Sequence, residues 1–254
     1  MFFKSLFEAN LRVKNIAQNI IYCTSTESTS DDVWKLYDKD KNKRTLVITD
    51  NQTKGKGRLN NTWFSKPSHS ITCSFLLEQI FEKNKINLHA ILIPVAIING
   101  IKKFLSIKVS IKWPNDIMYN NKKLGGILIE SKPNNKSTIF NIGIGLNVNE
   151  NNFDFPDQLQ KNSISLKEIK GFPIQREPLL ASILNELDSY INRIDEETLI
   201  KYWMDNCTHL NSEIKFNYNG DIVDGVFKSI SNTGKAIIQH SQNYIEYDGA
   251  IRIL

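Results

Sequence analysis

The sequence predicts an α+β fold in which a mixed, mainly antiparallel sheet packs on helices, followed by a small all-β domain. Three observations predict it. Between Ser110 and Asn147, four short apolar runs read as successive strands, and Asn120-Asn121 supplies a turn because asparagine tolerates positive φ. Two long stretches, 87–105 and 176–193, carry apolar residues at helical spacing. From about residue 212 the chain becomes short strands with Gly220, Gly225, Gly234 and Gly249 at the turns.

The elements follow in chain order. Thr24 to Ser30 is a polar run, with Ser30 placed to cap a helix whose first turn holds Asp31 and Asp32 at the positive end of its dipole. Thr45–Thr49 reads as a strand and Ser70–Leu77 as another. Between them, residues 51–69 hold three lysines, one arginine, two glycines and a proline without apolar period, which makes a long and therefore functional type of loop. Asn87–Leu105 is apolar on most of its surface, as a helix covered by a sheet would be, with Pro94 in its first turns or bending it. Strands are expected at 110–113, 117–119, 124–130 and 138–147, and helices at 176–193 and 196–206.

Composition narrows the function. With 254 residues, 41% hydrophobic and 10% aromatic, the chain has the makings of a globular core and a small second unit. The 32 basic and 27 acidic residues are spread along the chain, so the formal net charge of +5 suits an anionic ligand or an acidic protein partner better than a nucleic acid. Cys23, Cys73 and Cys207 are odd in number and form no CxxC pair, and His69, His89, His209 and His240 fall in unrelated segments, so no metal site is expected and a reducing compartment is. The apolar start at Met1-Phe2-Phe3 is interrupted by Glu8 and Arg12, and the stretch from Ala90 to Ile101 is too short to span a bilayer. A cytoplasmic protein with no membrane partner is the expectation.

Three segments carry chemistry. In Gln52-Thr53-Lys54-Gly55-Lys56-Gly57-Arg58, the glycines let backbone N–H groups approach an anion, Arg58 offers a forked contact to phosphate, and Trp63 offers a flat face to a base. Taken alone, the segment reads more readily as a solvated basic loop with Trp63 in the core. In Lys112-Trp113-Pro114-Asn115-Asp116 and Lys123-Leu124-Gly125-Gly126, Asp116 and Lys123 stand on paired strands and reach one cleft, either as a structural ion pair or as a site. In Asn141 to Asn149, Gly143 and Gly145 leave a trough on one strand face, for a ligand or for a crossing helix. Neither a P-loop nor a dinucleotide fingerprint is present.

Together these segments resemble the biotin–protein ligases (biotin–[acetyl-CoA-carboxylase] ligases). The family's Gln-x-x-Gly-Arg-Gly-Arg…Trp loop appears at 52–63, its Lys-Trp-Pro-Asn-Asp block at 112–116, its Lys-Leu-x-Gly-Ile-Leu-[Ile/Val]-Glu strand at 123–130 and its Gly-x-Gly-x-Asn segment at 143–147. The resemblance runs in order over residues 20–150. It implies a class II synthetase-like catalytic domain over 1–208 and a small SH3-like β-barrel over 209–254. It implies that Ser28, Thr29, Ser30, Gln52, Gly55, Lys56, Gly57, Arg58, Lys123, Gly126, Gly143 and Gly145 surround biotin. Lys56, Arg58, Trp63, Lys112, Asn115 and Asn147 would then serve ATP, and Asn147 its Mg²⁺. Arg58, Lys112, Asp116 and Lys123 would act in catalysis, Asp116 as acceptor of a proton from the incoming lysine.

The activity so implied is ATP-dependent formation of biotinyl-5′-AMP and transfer to a lysine of a biotin carboxyl carrier domain, by a monomer or weak homodimer. Lipoate or octanoate transfer on the same fold and a non-catalytic biotin sensor are the alternatives. Lys56 and Ser30 stand where the family has Arg and Asn. Only some 20 residues precede the first segment, too few for the helix-turn-helix of repressor members, so no DNA binding is implied.

Overall fold

The structure, a computed structural model, describes residues 1–253 apart from 14, 59, 60, 136, 194, 219 and 250. In chain order the elements are α1 Lys4–Asn10, β1 Asn19–Cys23, α2 Thr29–Asp40, β2 Thr45–Thr49, β3 Ile71–Glu78 and α3 Leu88–Leu105. Then come β4 Ser110–Lys112, β5 Asp116–Tyr119, β6 Lys122–Asn134, β7 Ser137–Leu146, α4 Asp157–Gln160, α5 Leu166–Lys170, α6 Arg176–Arg193 and α7 Glu196–Asp205. Last are β8 Glu213–Tyr218, β9 Asp221–Ile230, β10 Ala236–His240, β11 Asn243–Tyr247 and β12 Arg252–Ile253. The large sheet has the order β1-β2-β3-β7-β6-β5-β4, with β12 beside β6, and β8–β11 form a separate four-stranded antiparallel sheet. Among these strands, β1–β2 and β12–β6 pair in parallel and the other described pairs are antiparallel. The expected α+β class, sheet type and small β unit are therefore all present.

Alternation divides the large sheet into two unlike faces. On β3, Ile71, Cys73, Phe75 and Leu77 enter the main core, with Leu146, Ile144, Ile142 and Phe140 of β7 and Ile127 and Ile129 of β6. Helices α3 and α6 cover this face, and α3 is buried along most of its length, which accounts for its membrane-like composition. The two helices approach closely at Gly100, where a Cβ would stand 2.5 Å from the Ile183 Cα. Pro94 lies inside α3, near the end of its second turn. The other face is polar toward one end and carries α2 at the other, through Val33, Trp34 and Tyr37 on Val47, Leu76 and Ile139.

Two expectations need correction. Ser28, not Ser30, caps α2, accepting from Asp31 N, so Ser30 is the second residue of the helix and is buried. Gly225 is inside β9, not at a turn, because Phe216 and Ile238 pack where its side chain would be. α1, β1, α4 and α5 are further elements, none with an apolar period long enough to stand out in the sequence.

The small sheet is fastened to the large one by rings. Trp113 contacts Phe227 and Tyr247 at centroid distances of 6.1 and 5.8 Å, and His209 lies 4.4 Å from Phe227. The linking segment pairs with β4, Ile111 N donating to Asn206 O and Thr208 N to Ile111 O.

Two buried histidines set a pH dependence. His89 stacks on Phe140 at 4.1 Å and accepts from Ile80 N at 3.1 Å through Nε2. Burial pushes its pKa down to about 4, against a smaller lift from the Ile86 carbonyl. His209 is likewise pushed down to about 4, by burial first and by Lys112 second. In the window from the unfolded value near 6.5 down to about 4, the unfolded chain binds the protons and the native chain does not. Stability is therefore full above that window and falls as pH is lowered through it, by up to about 1.4 kcal/mol per pH unit for each histidine. Urea unfolding at about pH 7 and about pH 5 should show a loss of roughly 2–4 kcal/mol, and His89→Gln should roughly halve it.

Candidate functional site

The polar face of the large sheet is a set of cross-strand rows. Thr72, Gly145, Gly126, Asp116 and Lys112 stand directly opposite one another across five strands. The next row is Val47, Ser74, Gly143 and Leu128, and the one beyond is Leu76, Asn141 and Glu130. Residues directly opposite share a face, so these rows form one floor. The N-terminus of α2 sits on the third row: Ser30 Oγ donates to Glu130 Oε2 at 2.7 Å and receives Asn141 Nδ2 at 2.9 Å, and Trp34 Nε1 donates to the same carboxylate at 3.0 Å.

A cavity of about 260 Å³ lies over the first two rows, bounded by the α2 N-terminus and the 51–69 loop. Gln52 joins loop to helix, its Oε1 accepting from Thr29 N at 2.8 Å and Thr29 Oγ1 at 3.1 Å. Thr29 Oγ1 also meets Ser74 Oγ at 2.8 Å. Lys56 pairs with Asp31 at 2.5 Å, and the Arg58 guanidinium donates to the Gly249 carbonyl. Half-burial lowers the Arg58 pKa, with Tyr247 and Asp116 opposing the shift.

Lys123 reaches this cavity because of a β-bulge. Asp116 faces Gly126 and Ile117 faces Gly125, but Met118 faces Lys123, which leaves Leu124 as an extra residue on β6. In uninterrupted alternation Leu124 would share the floor with Gly126, and Lys123 would enter the core. The bulge reverses this: Leu124 is fully buried in the core, and Lys123 Nζ lies 2.6 Å from Asp116 Oδ1.

The glycine trough is real, and Trp63 occupies part of it. A Cβ on Gly145 would lie 2.6 Å from Trp63 Cζ2, and one on Gly126 3.2 Å from Cζ3. The Trp63 ring thus rests on the sheet, with Lys123 Nζ 5.9 Å from its centroid. Gly143 has no such cover, a Cβ there standing 3.5 Å from Leu128 Cβ and Ser74 Oγ.

Of the residues singled out in the sequence, Ser28, Thr29, Ser30, Gln52, Lys56, Gly57, Arg58, Trp63, Asn115, Asp116, Lys123, Gly126, Gly143 and Gly145 all border this one cavity. Gly55 stands behind it, where a Cβ would meet Gln52 Nε2 at 2.7 Å. Asn147 lines an adjoining recess on the far side of Trp63, with Phe64, Phe155 and Leu159. Its Nδ2 donates to Ile164 O at 3.1 Å and Lys123 O at 3.4 Å, leaving its carbonyl oxygen as an acceptor. Lys112 is exposed and borders neither space, although it stands opposite Asp116. Residues 59 and 60 of the loop lie outside the described residues. Thr72 and Ser74 belong to the lining too; their alternation with Ile71, Cys73 and Phe75 is the signal that marks them.

No group of three His, Cys, Asp or Glu side chains that could hold a metal occurs among the described residues. Among the oxygen donors bordering the cavity and its recess, Asp116 is a carboxylate and Asn115 and Asn147 carry amide oxygens. That set suits Mg²⁺ carried mainly by a ligand's phosphates with few protein ligands.

The model of the biotin/lipoate A/B protein ligase family matches residues 21–149. The bifunctional ligase/repressor BirA of Bacillus spizizenii is 36% identical over 177 residues, 68% of this chain and 54% of that protein. The chain spans about half the length of the curated relatives it matches. The biotin protein ligase from Aquifex aeolicus in complex with biotin and ATP superposes with a TM-score of 0.73 at 25% identity, over 91% of this chain and 95% of that one. The Helicobacter pylori biotin acetyl coenzyme A carboxylase synthetase shares the fold, with a TM-score of 0.63 at 19% identity over 90% and 99%.

Gly145→Ala should expel the Trp63 ring from its seat. The expected result is a changed tryptophan emission and a stability loss of about 1–3 kcal/mol by denaturant unfolding; an unchanged spectrum would show that the ring does not rest there.

Proposed function

The chain belongs to the biotin/lipoate A/B protein ligase family, and from that premise we propose that it is an ATP-dependent biotin–protein ligase. In this reading it makes biotinyl-5′-AMP and passes the biotinyl group to a lysine of a biotin carboxyl carrier domain, such as that of acetyl-CoA carboxylase, in the cytoplasm. The observation that carries the reading is the single cavity shared by Lys123, Asp116, the Gly-Lys-Gly-Arg loop and the α2 N-terminus.

The roles follow from position. Ser28, Thr29 and Gln52 bring hydroxyl and amide groups to the α2 side of the cavity, and a cyclic urea would exchange its own donors and acceptors for the bonds they now make with one another and with Ser74. Ser30 serves indirectly, because its hydroxyl is already committed to Glu130 and Asn141. The open floor at Gly143 takes the apolar rings and tail. Trp63 and the recess beside Asn147 take the adenine side.

Lys123 stands where carboxylate and α-phosphate must meet. Its pairing with Asp116 keeps the ammonium aimed into the cavity. Both partners are partly exposed, at 38% and 25%, so the pair is weak enough to be exchanged for a ligand's oxygens. The biotin carboxylate then attacks the α-phosphorus, and pyrophosphate leaves. Lys123, Arg58 and Lys56 neutralise the charge that builds on the phosphoryl oxygens. Mg²⁺, bound through the phosphates near Asn147 and Asn115, would supply further charge neutralisation. In the second half, the neutral amine of the acceptor lysine attacks the acyl carbon and AMP departs. Asp116, freed from Lys123, is positioned to take the amine's proton. Lys112 contributes long-range positive charge from outside the cavity.

The family also includes lipoate ligases, and the same assay separates the two acids. Purified chain with ATP, Mg²⁺ and an apo carrier domain should transfer labelled biotin and not lipoate. Transfer of lipoate alone, or of neither, would reject the proposal. Lys123→Ala should lower adenylate formation by roughly 10²–10³-fold, the scale for removing one preorganised charge-stabilising donor. Near-normal adenylation by a folded Lys123→Ala variant would remove Lys123 from the mechanism.

A further inference from the structure

The 51–69 loop is held at its neck by one buried side chain, and we propose that Arg176 is the positioning residue that sets this loop as a lid over the cavity. The functional consequence rests on the ligase reading above; the mechanical one does not.

Arg176 is the first residue of α6 and is 5% exposed. Its Nη2 donates to Asp50 Oδ1 at 2.8 Å and its Nη1 to Ser70 O at 3.0 Å. Asp50 is the last residue before the loop and Ser70 the first after it. One planar guanidinium therefore ties both ends of the loop to the helix layer behind the sheet. The fork is essential, because an ammonium offers no fixed pair of donors at that spacing. Further bonds brace the clamp: Asp50 Oδ2 accepts from Tyr22 Oη at 2.7 Å and Phe2 N at 3.0 Å, Ser68 N donates to Asp50 O at 2.8 Å, and Ser70 Oγ donates to the buried Glu150. The Phe2 ring lies 5.9 Å from the Arg176 guanidinium carbon. A buried charge pair whose carboxylate is bonded at both oxygens resists exchange far better than one in water.

Two of the loop's outer ties, beside Gly55 and Gly57, are of the opposite kind. Lys54–Glu27 at 2.7 Å and Lys56–Asp31 at 2.5 Å join side chains that are all at least 40% exposed. Such pairs are weak and readily swapped. The loop thus combines a fixed neck with a tip whose cations can leave their carboxylates for a phosphate. Gln52 stands two residues beyond the clamp and carries the contact to Thr29 N. A shift of the neck therefore displaces Gln52 together with Lys56 and Arg58, and small misplacements of positioning groups cost large factors in rate.

The test uses the full chain carrying Arg176→Lys, with Asp50→Asn as a milder second variant that keeps the side chain's shape. Glu27→Gln, which breaks only an outer tie, is the control. Folding is checked by thermal unfolding. Amide hydrogen exchange is then read at Thr53, Lys54, Gly57 and Trp63, whose N–H groups are bonded in the closed loop, and KM is compared with kcat for biotin and ATP. The clamp variants should exchange at least about tenfold faster at these four amides without ligand, while amides of α3 stay as in the unaltered protein. They should raise KM for biotin more than they lower kcat, and should let hydroxylamine trap acyl-adenylate that escapes into solution.

Loop exchange and KM unchanged in a folded clamp variant would overturn the proposal, as would equal effects from Glu27→Gln. An unaltered protein that binds no biotin would sink the ligase reading instead, and ligand-free loop exchange would still decide the clamp.

Discussion

The site depends on one extra residue in a strand. The bulge at Leu124 is the difference between a lysine in the core and a lysine in the cavity, since a single-residue slip exchanges the two faces of a strand. Everything around it holds that slip in place. Leu124 is buried, its carbonyl receives Asn147 N at 2.9 Å, and Lys123 N donates to Asn162 O at 2.7 Å. Asn147 also reaches back to the Lys123 carbonyl. A residue that the motif assigns to the nucleotide therefore has a second use, in fixing the strand that carries the central lysine.

The rest of the floor is built by leaving things out. Gly126 and Gly145 are paired across β6 and β7, and the absence of two side chains there lets Trp63 lie against the sheet. The tryptophan divides the space into a larger cavity toward α2 and a recess toward Asn147. That division suits a ligand with two unlike halves joined at a charged centre, and Lys123 borders both spaces. The helix α2 contributes its positive end to the larger one, while its acidic first turn fastens Lys56.

Much of this was legible in the residues and some was not. The approach of Lys123 to Asp116 followed from hairpin spacing alone. The bulge that makes it possible did not, because Lys-Leu-Gly-Gly carries no mark of which residue will be left unpaired. Ser30 looked like the better cap because two aspartates follow it, but tertiary contact decided otherwise: Glu130 and Asn141 draw its hydroxyl inward, and Ser28 takes the cap. The glycine trough was visible as an i, i+2 pattern, yet the ring that fills one end comes from eighty residues away in the chain, a distance no local pattern spans. Lys112 shows the converse: an intact motif places it beside the site, and the short edge strand β4 turns it out to solvent. Arg176 acts through contacts with distant segments and has no local signature, and the motif that contains Trp113 does not announce its ring contacts with the small sheet.

The central claim, that Lys123 exchanges Asp116 for the reacting oxygens of an acyl-adenylate, is tested most directly by a crystal structure of the chain with biotinyl-5′-AMP. The account predicts Lys123 Nζ within hydrogen-bond distance of a phosphoryl or acyl oxygen, with the adenine beside Trp63 and the bicyclic ring against Thr29 and Gln52. A ligand seated elsewhere, or a Lys123 still paired only with Asp116, would contradict it.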